Sequence, residues 1–249
     1  MKNKNPYFFL LYLRIIKSKK FIMSTISPDI KMADLIGSDY KILTILYRLG
    51  IKLGIGERSV KEVCEANNIN VTSFILICNC YRNMHYIPQK SDLENASVEL
   101  IVRYLKSSHS YYMNNNFKEL EKNLRELVKP CEEKQKKIIM KFFNEYKGEV
   151  ENHFNYEEDI VFPYIDSIIK GEKNNEYSID IFEKNHSNIK EKLHDLKNIV
   201  MKYLPPVCST VLAINVLALL FSLECDFEKH TMIENNILIP IVNKMERHG

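Results

Sequence analysis

The chain has 249 residues, of which 45% are hydrophobic and 27% are charged, a composition typical of a soluble globular protein. Its formal charge of +3 arises at the N-terminus, because the first 22 residues contain six basic residues and no acidic one. The rest of the chain has 29 basic against 32 acidic residues, a net charge of −3, so we predict no basic surface for nucleic acid. Glycine and proline are scarce, at seven and eight residues, which favours helices over sheets.

Residues 1–22 form a leader that is both basic and apolar. Its apolar run contains Arg14, is too short to span a bilayer and is followed by no small-residue cleavage site. A signal peptide and a segment lying on a membrane surface are two alternatives. We favour a start at Met23, which makes the leader disordered or artefactual and predicts a cytoplasmic protein without a stable membrane span.

The six cysteines are scattered through the sequence and form no C-x-x-C pair. We predict that they are reduced, buried thiols, as is usual for cytosolic proteins. Cys78 and Cys80 offer a metal-binding alternative, but no second pair accompanies them.

Residues 32–88 have the pattern of a small helical domain. Apolar periodicity predicts one helix over 32–51, which Gly50, Gly54 and Gly56 terminate. Ser59 with Glu62 three residues later predicts a capping box at the start of a second helix, and a third follows. Three short helices also suit a helix-turn-helix DNA reader, but the lack of a basic face favours a packing or interaction module.

Residues 85–97 are predicted to be a linker, and four long amphipathic patterns follow it. The breaks between these patterns are the segments "KPCEE", "KGEKNNEYS" and "LPPVC". Long helices with short connections indicate an all-α, up-down-up-down four-helix bundle over 97–246. The predicted helices cover roughly 97–128, 131–170, 178–203 and 207–246.

Two of these helices contain the same motif, "HFNYEEDIVFPY" from residue 153 and "HTMIENNILIP" from residue 230. In each, a histidine precedes a glutamate by four positions, which places both side chains on one helix face. The pairs are His153 with Glu157 and His230 with Glu234. A proline follows each glutamate by six positions, which indicates a duplicated helix–helix unit.

The other two predicted helices contain His109 and His186, each 44 residues before one of the motif histidines. At 1.5 Å per residue, His109 and His153 both lie roughly 30 Å from the turn at Pro130. The same reasoning places all four helices' ligands at one level, nearer the end that carries the Gly171 loop. The spacing therefore predicts that four imidazoles and two carboxylates converge in the bundle core.

Such a core implies metal, because burying two unpartnered carboxylates costs roughly several kcal/mol each. Two divalent ions would neutralise the carboxylates, and imidazole with bridging carboxylate suits iron or manganese. Zinc is an alternative, although it usually takes four ligands per ion.

The motifs above, with "RYLKSSHSYY" and "EKNHSNIKEKL", resemble the hemerythrin-like domain of the repair-of-iron-centres family. The resemblance covers about 97–246 in order and spacing. It implies two non-haem iron ions, bridged by carboxylates and by an oxo group, with Glu157 and Glu234 as the bridging residues. The implied iron ligands are His109, His153, Glu157, His186, His230 and Glu234.

The chain departs from that family in two places. The family typically has a Cys-Cys pair after the first helix of its N-terminal domain, where this chain has "GIKLGIGERSV". The family also often has an additional histidine in the first bundle helix, where this chain has Leu105. Both departures bear on the repair activity more than on the metal site.

By resemblance, the chain is a di-iron protein that protects or repairs iron–sulfur clusters damaged by nitrosative or oxidative stress, through iron donation or through nitric oxide or dioxygen chemistry. Its partners would be damaged iron–sulfur proteins and a small ligand such as nitric oxide or dioxygen. A homodimer is a separate expectation that does not rest on the resemblance. A dioxygen or nitric oxide sensor or carrier that signals through the N-terminal helices is the alternative, and a structural bundle with incidental metal is a third hypothesis.

Tyr156, Tyr164 and Glu158 are candidate neighbours of the site, for which an exposed or packing role is favoured. The histidines outside the predicted cluster are expected at the surface; they are His85, His194 and His248.

Overall fold

The computed structural model describes residues 25–172, 177–185 and 189–248. The predicted leader and His186 lie outside these residues, so the structure says nothing of either. Within the described ranges the chain is helical and has no strand, apart from an isolated bridge between Lys31 and Ser59. The predicted all-α fold is confirmed.

The chain divides into two compact units, one ending at Leu100 and the other beginning at Ile101. The first unit, described from Thr25, has five short helices. They are α1 (Met32–Ser38), α2 (Ile42–Arg48), α3 (Val60–Ala66), α4 (Val71–Arg82) and α5 (Lys90–Glu94).

The helix predicted over 32–51 is wrong, because the structure breaks it into α1 and α2. At the break, Asp39 adopts an extended conformation with φ −154°. Its side-chain Oδ1 accepts a hydrogen bond from the backbone N–H of Lys41 at 3.1 Å. Ser38 Oγ donates to the carbonyl of Leu35 at 2.7 Å. These local bonds satisfy backbone groups outside a helix, so they compete with the helical pattern.

The capping box predicted at the start of α3 is confirmed. Ser59 N–H donates to Glu62 Oε2 at 2.7 Å, and Glu62 N–H donates to Ser59 Oγ at 3.2 Å. The segment 85–97, predicted as a linker, contains the one-turn helix α5, so that prediction was too simple.

The second unit is built from long helices, three of which are interrupted by a π-helical turn. Helix α6 begins at Val98, three residues before the second unit begins, and continues to Val128. The predicted ends of all four bundle helices lie within three residues of the observed ends. The third predicted helix, 178–203, corresponds to two described segments, α8 and α9. The helices are α6 (98–128), α7 (133–169), α8 (Ile179–Asn185), α9 (Ile189–Lys202) and α10 (210–248).

Four of these helices pack in a closed square. Helix α6 contacts α7 and α10, and α9 contacts the same two helices from the other side. Only four residues, 129–132, connect α6 to α7, and only seven, 203–209, connect α9 to α10, so each connected pair is antiparallel. Helix α8 packs against the C-terminal part of α10. This arrangement turns one face of every long helix towards a common core.

Aromatic side chains fill the middle of that core. Phe117 of α6 lies 6.2 Å from Phe143 and 5.7 Å from Tyr146 of α7, measured between ring centroids. Phe227 of α10 lies 6.5 Å from Phe117 and 6.1 Å from Phe154. All five rings are buried. Rings at these separations contribute beyond their buried area, so they hold the helices at a fixed distance from one another.

An ion pair between a buried lysine and a partly exposed glutamate joins α9 to α10. Lys197 is 4% exposed, and its Nζ lies 2.5 Å from both carboxylate oxygens of Glu224. The same Nζ lies 4.6 Å from the centroid of the Phe221 ring.

We expect Glu224→Ala to lower the free energy of unfolding by roughly 3 kcal/mol, because it leaves a buried ammonium unpaired. The double variant Lys197→Met/Glu224→Leu should stay within about 1 kcal/mol of the wild type, since it removes both charges. Urea unfolding of the three proteins measures these differences. Equal losses in the single and double variants would show that packing, not charge, governs the site.

The stretch Thr210–Arg247, which is most of α10, is long and apolar enough to cross a membrane by length and composition. Only 22% of its most apolar window is buried, and Val211, Ile214 and Phe221 are 68%, 59% and 49% exposed. One such helix is weak evidence for a membrane span, because a helix of a soluble bundle passes the same test. Here the stretch packs against α6 and α9.

Candidate metal centre

Three bundle helices change their hydrogen-bond pattern within three residues of a predicted ligand. The π-helical turns are Tyr112–Asn116 in α6, Glu157–Val161 in α7 and Glu234–Leu238 in α10. The last two begin at the glutamate of the repeated motif and end two residues before its proline. Proline has no N–H and its ring crowds the preceding turn, and a wider turn relieves that conflict. Single π-turns of this kind occur frequently at functional sites.

Four of the six predicted ligands come together in the core of the bundle. One ligand atom from each of His109, Glu157, His230 and Glu234 lies within 4.8 Å of every other. They come from three helices, α6, α7 and α10. Both carboxylates are fully buried, and the two histidines are 2% and 3% exposed. The described residues therefore place a concentrated set of metal-ligating groups in the core.

Glu157 lies at the centre of the cluster, and its two oxygens face different histidines. Oε1 lies 2.8 Å from Nε2 of His153, one helical turn earlier on α7. Oε2 lies 2.9 Å from Nε2 of His109 and 3.8 Å from Nε2 of His230. On α10, Glu234 Oε1 lies 2.9 Å from Nε2 of His230, which repeats the His153–Glu157 geometry. His153 thus joins the cluster through Glu157, which brings five predicted site residues together.

Glu158 supports the cluster from outside. Its Oε1 lies 2.9 Å from Nδ1 of His109, although the side chain is 43% exposed. With a metal ion bound, an Nδ1–H donated to this carboxylate would leave the Nε2 of His109 as the metal ligand. The sequence favoured an exposed or packing role for Glu158, and the structure adds this hydrogen bond to an exposed side chain.

Aromatic rings enclose the histidines, a packing that the sequence pattern does not indicate. Phe154 stacks on His109 with centroids 4.1 Å apart and an angle of 12°. Phe162 stacks on the same imidazole at 5.8 Å. Tyr112 meets His230 edge-on at 5.8 Å. No motif signals these contacts, since Phe154 and Phe162 merely flank the ligands in sequence and reach His109 only through packing.

Electrostatics within the cluster favours a charged Glu157. Burial alone would raise the pKa of Glu157, but hydrogen bonds from His109, His153 and His230 hold it well below its usual value. Burial alone would likewise lower the pKa of His230, but the carboxylates of Glu234 and Glu157 raise it to about 10. Without metal, therefore, a proton on His230 offsets part of the negative charge of the cluster.

The donor set fits a divalent cation. Bonds of about 2.1 Å from nitrogen and oxygen place the ligands on opposite sides of one ion about 4.2 Å apart. The observed limit of 4.8 Å among four donor atoms is close to that value. Imidazole with carboxylate is a ligand set used for iron, manganese and zinc.

The family model of the hemerythrin HHE cation binding domain matches residues 101–242, which is more than half of the chain. The chain belongs to the hemerythrin HHE family. The match begins three residues after the start of α6 and ends within the last α-helical segment of α10. No curated protein matches the sequence significantly. The cation-binding character of the hemerythrin HHE domain agrees with the His/Glu cluster in its core.

Two predicted neighbours of the site in this hemerythrin HHE protein, Tyr156 and Tyr164, have hydrogen-bond partners outside the cluster. Tyr156 Oη lies 2.8 Å from Tyr177 Oη, and Tyr164 Oη donates to Glu246 Oε1 at 2.5 Å. His85 and His194 are exposed, as predicted, and the side chain of His248 lies outside the described residues. Five of the six cysteines are buried, as predicted, including Cys78 and Cys80 in the first unit, whereas Cys225 is partly exposed.

We expect Glu158→Gln to weaken metal binding by roughly tenfold, because a neutral amide orients and polarises the imidazole of His109 less strongly than a carboxylate. Competition with a coloured chelator measures the change. Asp159→Asn is the matched control, since Asp159 is the neighbouring exposed acid on the same helix. Equal effects of the two variants would mean that only the net charge matters.

Proposed function

We propose that this hemerythrin HHE domain holds a non-haem di-iron centre and uses it to protect or repair iron–sulfur clusters under nitrosative or oxidative stress. The proposed ligands are His109, His153, Glu157, His186, His230 and Glu234. The observation that carries the di-iron centre is the position of Glu157, whose two oxygens face different imidazoles.

A carboxylate in that position suits two ions better than one. Oε1 of Glu157 faces the Nε2 of His153, whereas Oε2 faces the Nε2 atoms of His109 and His230. Each carboxylate oxygen therefore has different imidazole neighbours. Glu234 begins the equivalent π-turn 77 residues later and is the proposed second bridge. His186 lies 77 residues after His109 and completes the proposed set by the same spacing.

A bound ferrous pair would supply one-electron chemistry and open coordination positions for a small ligand. The protein residues determine which ligands can reach those positions. The carboxylates and the histidines of the cluster are almost entirely buried, and Phe154, Phe162 and Tyr112 pack against the imidazoles. This enclosure favours a diatomic ligand such as nitric oxide or dioxygen, and iron donation to a client would require the bundle to open.

The repair activity and its partners, damaged iron–sulfur proteins in the cytoplasm, belong to the proposal by resemblance to the repair-of-iron-centres family. A sensor or carrier of nitric oxide or dioxygen would use the same buried cluster. The homodimer stays a prediction, and the proposal includes neither nucleic acid nor a membrane span.

The first test is metal content together with an absorption spectrum, measured on protein purified without air and then exposed to it. About two irons per chain, with near-ultraviolet bands that appear on exposure, would support the di-iron centre. Zinc or less than one iron per chain, without spectral change, would refute it.

A second test separates repair from sensing. The iron-loaded protein is added to an iron–sulfur enzyme whose cluster nitric oxide has damaged, and recovery of that enzyme's activity is followed. The metal-free protein is the control. Recovery only with the iron-loaded protein supports repair, whereas no recovery favours the sensor or carrier.

We expect metal affinity to fall about tenfold per pH unit between pH 8 and 6. In the metal-free protein the pKa of His230 is about 10, above its value of about 6.5 in the unfolded chain. The proton therefore stabilises the metal-free fold below pH 6.5, and that contribution is lost as the pH rises through about 10. Metal must displace this proton, so binding weakens as the pH falls. Chelator competition at several pH values measures the slope, and a flat profile would contradict imidazole ligation.

A further inference from the structure

Two buried cysteines meet at the end of the bundle that carries the turns 129–132 and 203–209. The Sγ atoms of Cys131 and Cys208 lie 3.0 Å apart. The two residues are 5% and 8% exposed. They are 77 residues apart in sequence, which is also the offset between the two His/Glu motifs. The pair therefore occupies equivalent positions in the two halves of the bundle.

The backbone presents both thiols in the same way. Cys131 N–H donates to the carbonyl of Val128 at 2.9 Å, and Cys208 N–H donates to the carbonyl of Pro205 at 3.0 Å. Both bonds run three residues back along the chain, and each cysteine lies two residues before the next helix. Each Sγ is thus held by a short turn between two packed helices, so neither thiol must travel far to meet the other.

The separation suits a disulfide better than a metal site. A disulfide bond is about 2.05 Å long, so the sulfur atoms need to approach by about 1 Å. Tetrahedral zinc with bonds of about 2.3 Å would hold two sulfurs about 3.8 Å apart. In the described part of the chain, no third His, Cys, Asp or Glu completes a metal-binding group with these two.

The surroundings slow the oxidation of the pair. The pKa of Cys208 is raised to about 11. Burial is the main cause, and the hydrogen bond and the electrostatic interaction with Cys131 add to it. At neutral pH its thiolate fraction is small, which slows reaction with oxidants. The pair should therefore react slowly with weak oxidants, and a strong oxidant such as peroxide should be needed to close it quickly.

We propose that Cys131 and Cys208 are a reversible redox pair that closes into a disulfide when peroxide is present. The thiolate of one cysteine attacks a peroxide oxygen, which gives a sulfenic acid and, after protonation, one water. The second thiol attacks the sulfenic sulfur and expels another water. Two thiols and one hydrogen peroxide thus yield one disulfide and two waters, and a dithiol reductant reverses the bond.

The cross-link would tie the turn between α6 and α7 to the turn between α9 and α10. It would add a covalent link between two hairpins that otherwise hold together by packing. Because it spans 77 residues, we expect the oxidised protein to unfold roughly 10 °C higher than the reduced protein. Cys208 lies 22 residues before His230, about 33 Å along α10, so metal content should not change. The proposal is therefore independent of the proposed function.

The test treats the full-length, metal-loaded protein with hydrogen peroxide and then blocks free thiols. We expect a mass decrease of about 2 Da in the intact protein before its thiols are blocked, a Cys131–Cys208 linked peptide in a non-reducing digest, and the higher unfolding temperature. Dithiothreitol should reverse all three. The wild-type digest identifies the bond directly, so the result does not depend on any variant folding.

Cys131→Ser and Cys208→Ala should each abolish the mass decrease and the thermal shift. Cys225→Ser is the control and should retain both. Cys225 is partly exposed and five residues before His230, so oxidation driven by the metal would affect it first. A cross-link that involves Cys225, or sulfinic acid at Cys131 or Cys208 without a linked peptide, would overturn the proposal.

Discussion

Replacing Glu157 with glutamine is expected to reduce the metal affinity by at least 100-fold and to lower the metal content from about two ions per chain to one or fewer. Glutamine has nearly the same shape, but it offers one neutral carbonyl oxygen where the carboxylate offers two charged ones. The variant therefore keeps the packing and removes the group that lies between His153 on one side and His109 and His230 on the other. Losing a direct ligand should cost more than the roughly 10–100-fold typical of an outer partner.

Metal content after purification without air measures this effect, and circular dichroism shows whether the helices persist. Glu151→Gln is the matched control, because Glu151 is an exposed glutamate on the same helix. The control should bind metal like the wild type. Two ions in the Glu157→Gln protein would show that this carboxylate is not a bridge.

Removing the metal is expected to lower the unfolding temperature by roughly 10 °C. A ligand that binds only the folded state at 1,000 times its Kd stabilises that state by about 4 kcal/mol, and each kcal/mol shifts the unfolding temperature of a chain of this size by about 2–4 °C. The metal-free bundle does not unfold outright, since its buried carboxylates still pair with the imidazoles around them. Thermal unfolding with and without chelator, followed by re-addition of ferrous iron, measures the shift.

The double variant Glu157→Leu/Glu234→Leu provides the matched comparison. It removes both buried charges and replaces them with apolar groups of similar size, which is often neutral or stabilising. Its unfolding temperature should be independent of chelator and at least equal to that of the metal-free wild type. If the wild type is equally insensitive to chelator while it loses bound metal, the metal is incidental and the bundle is a structural one.

The sequence predicts the bundle well because the signals for long helices are local and repeated. Apolar periodicity and short breaks located the described helix ends to within three residues. The i, i+4 spacing of His153 with Glu157 and of His230 with Glu234 predicted that each pair would share a helix face, and the structure shows both pairs in contact. Counting residues from the turns then predicted that His109 would lie at the same level.

Features that depend on a few side chains or on contacts between distant residues were not predictable in this way. The break at Asp39 results from hydrogen bonds within three residues that an apolar pattern does not reveal. The bond from Glu158 to His109 and the approach of Cys131 to Cys208 each join positions on different elements of the bundle. Their geometry follows from how the helices pack.

The π-turns have a consequence for how such chains can lengthen or shorten. Each turn contains one residue more than an α-helix needs for the same rise, so the helix beyond it is rotated by about 100° relative to the helix before it. Deleting a single residue such as Asn235 would restore α-helical bonding but swing Ile239 and Val242, now buried, away from the core. The bundle therefore tolerates neither loss nor gain of one residue at the level of its metal ligands, and length variation must fall in the turns between helices.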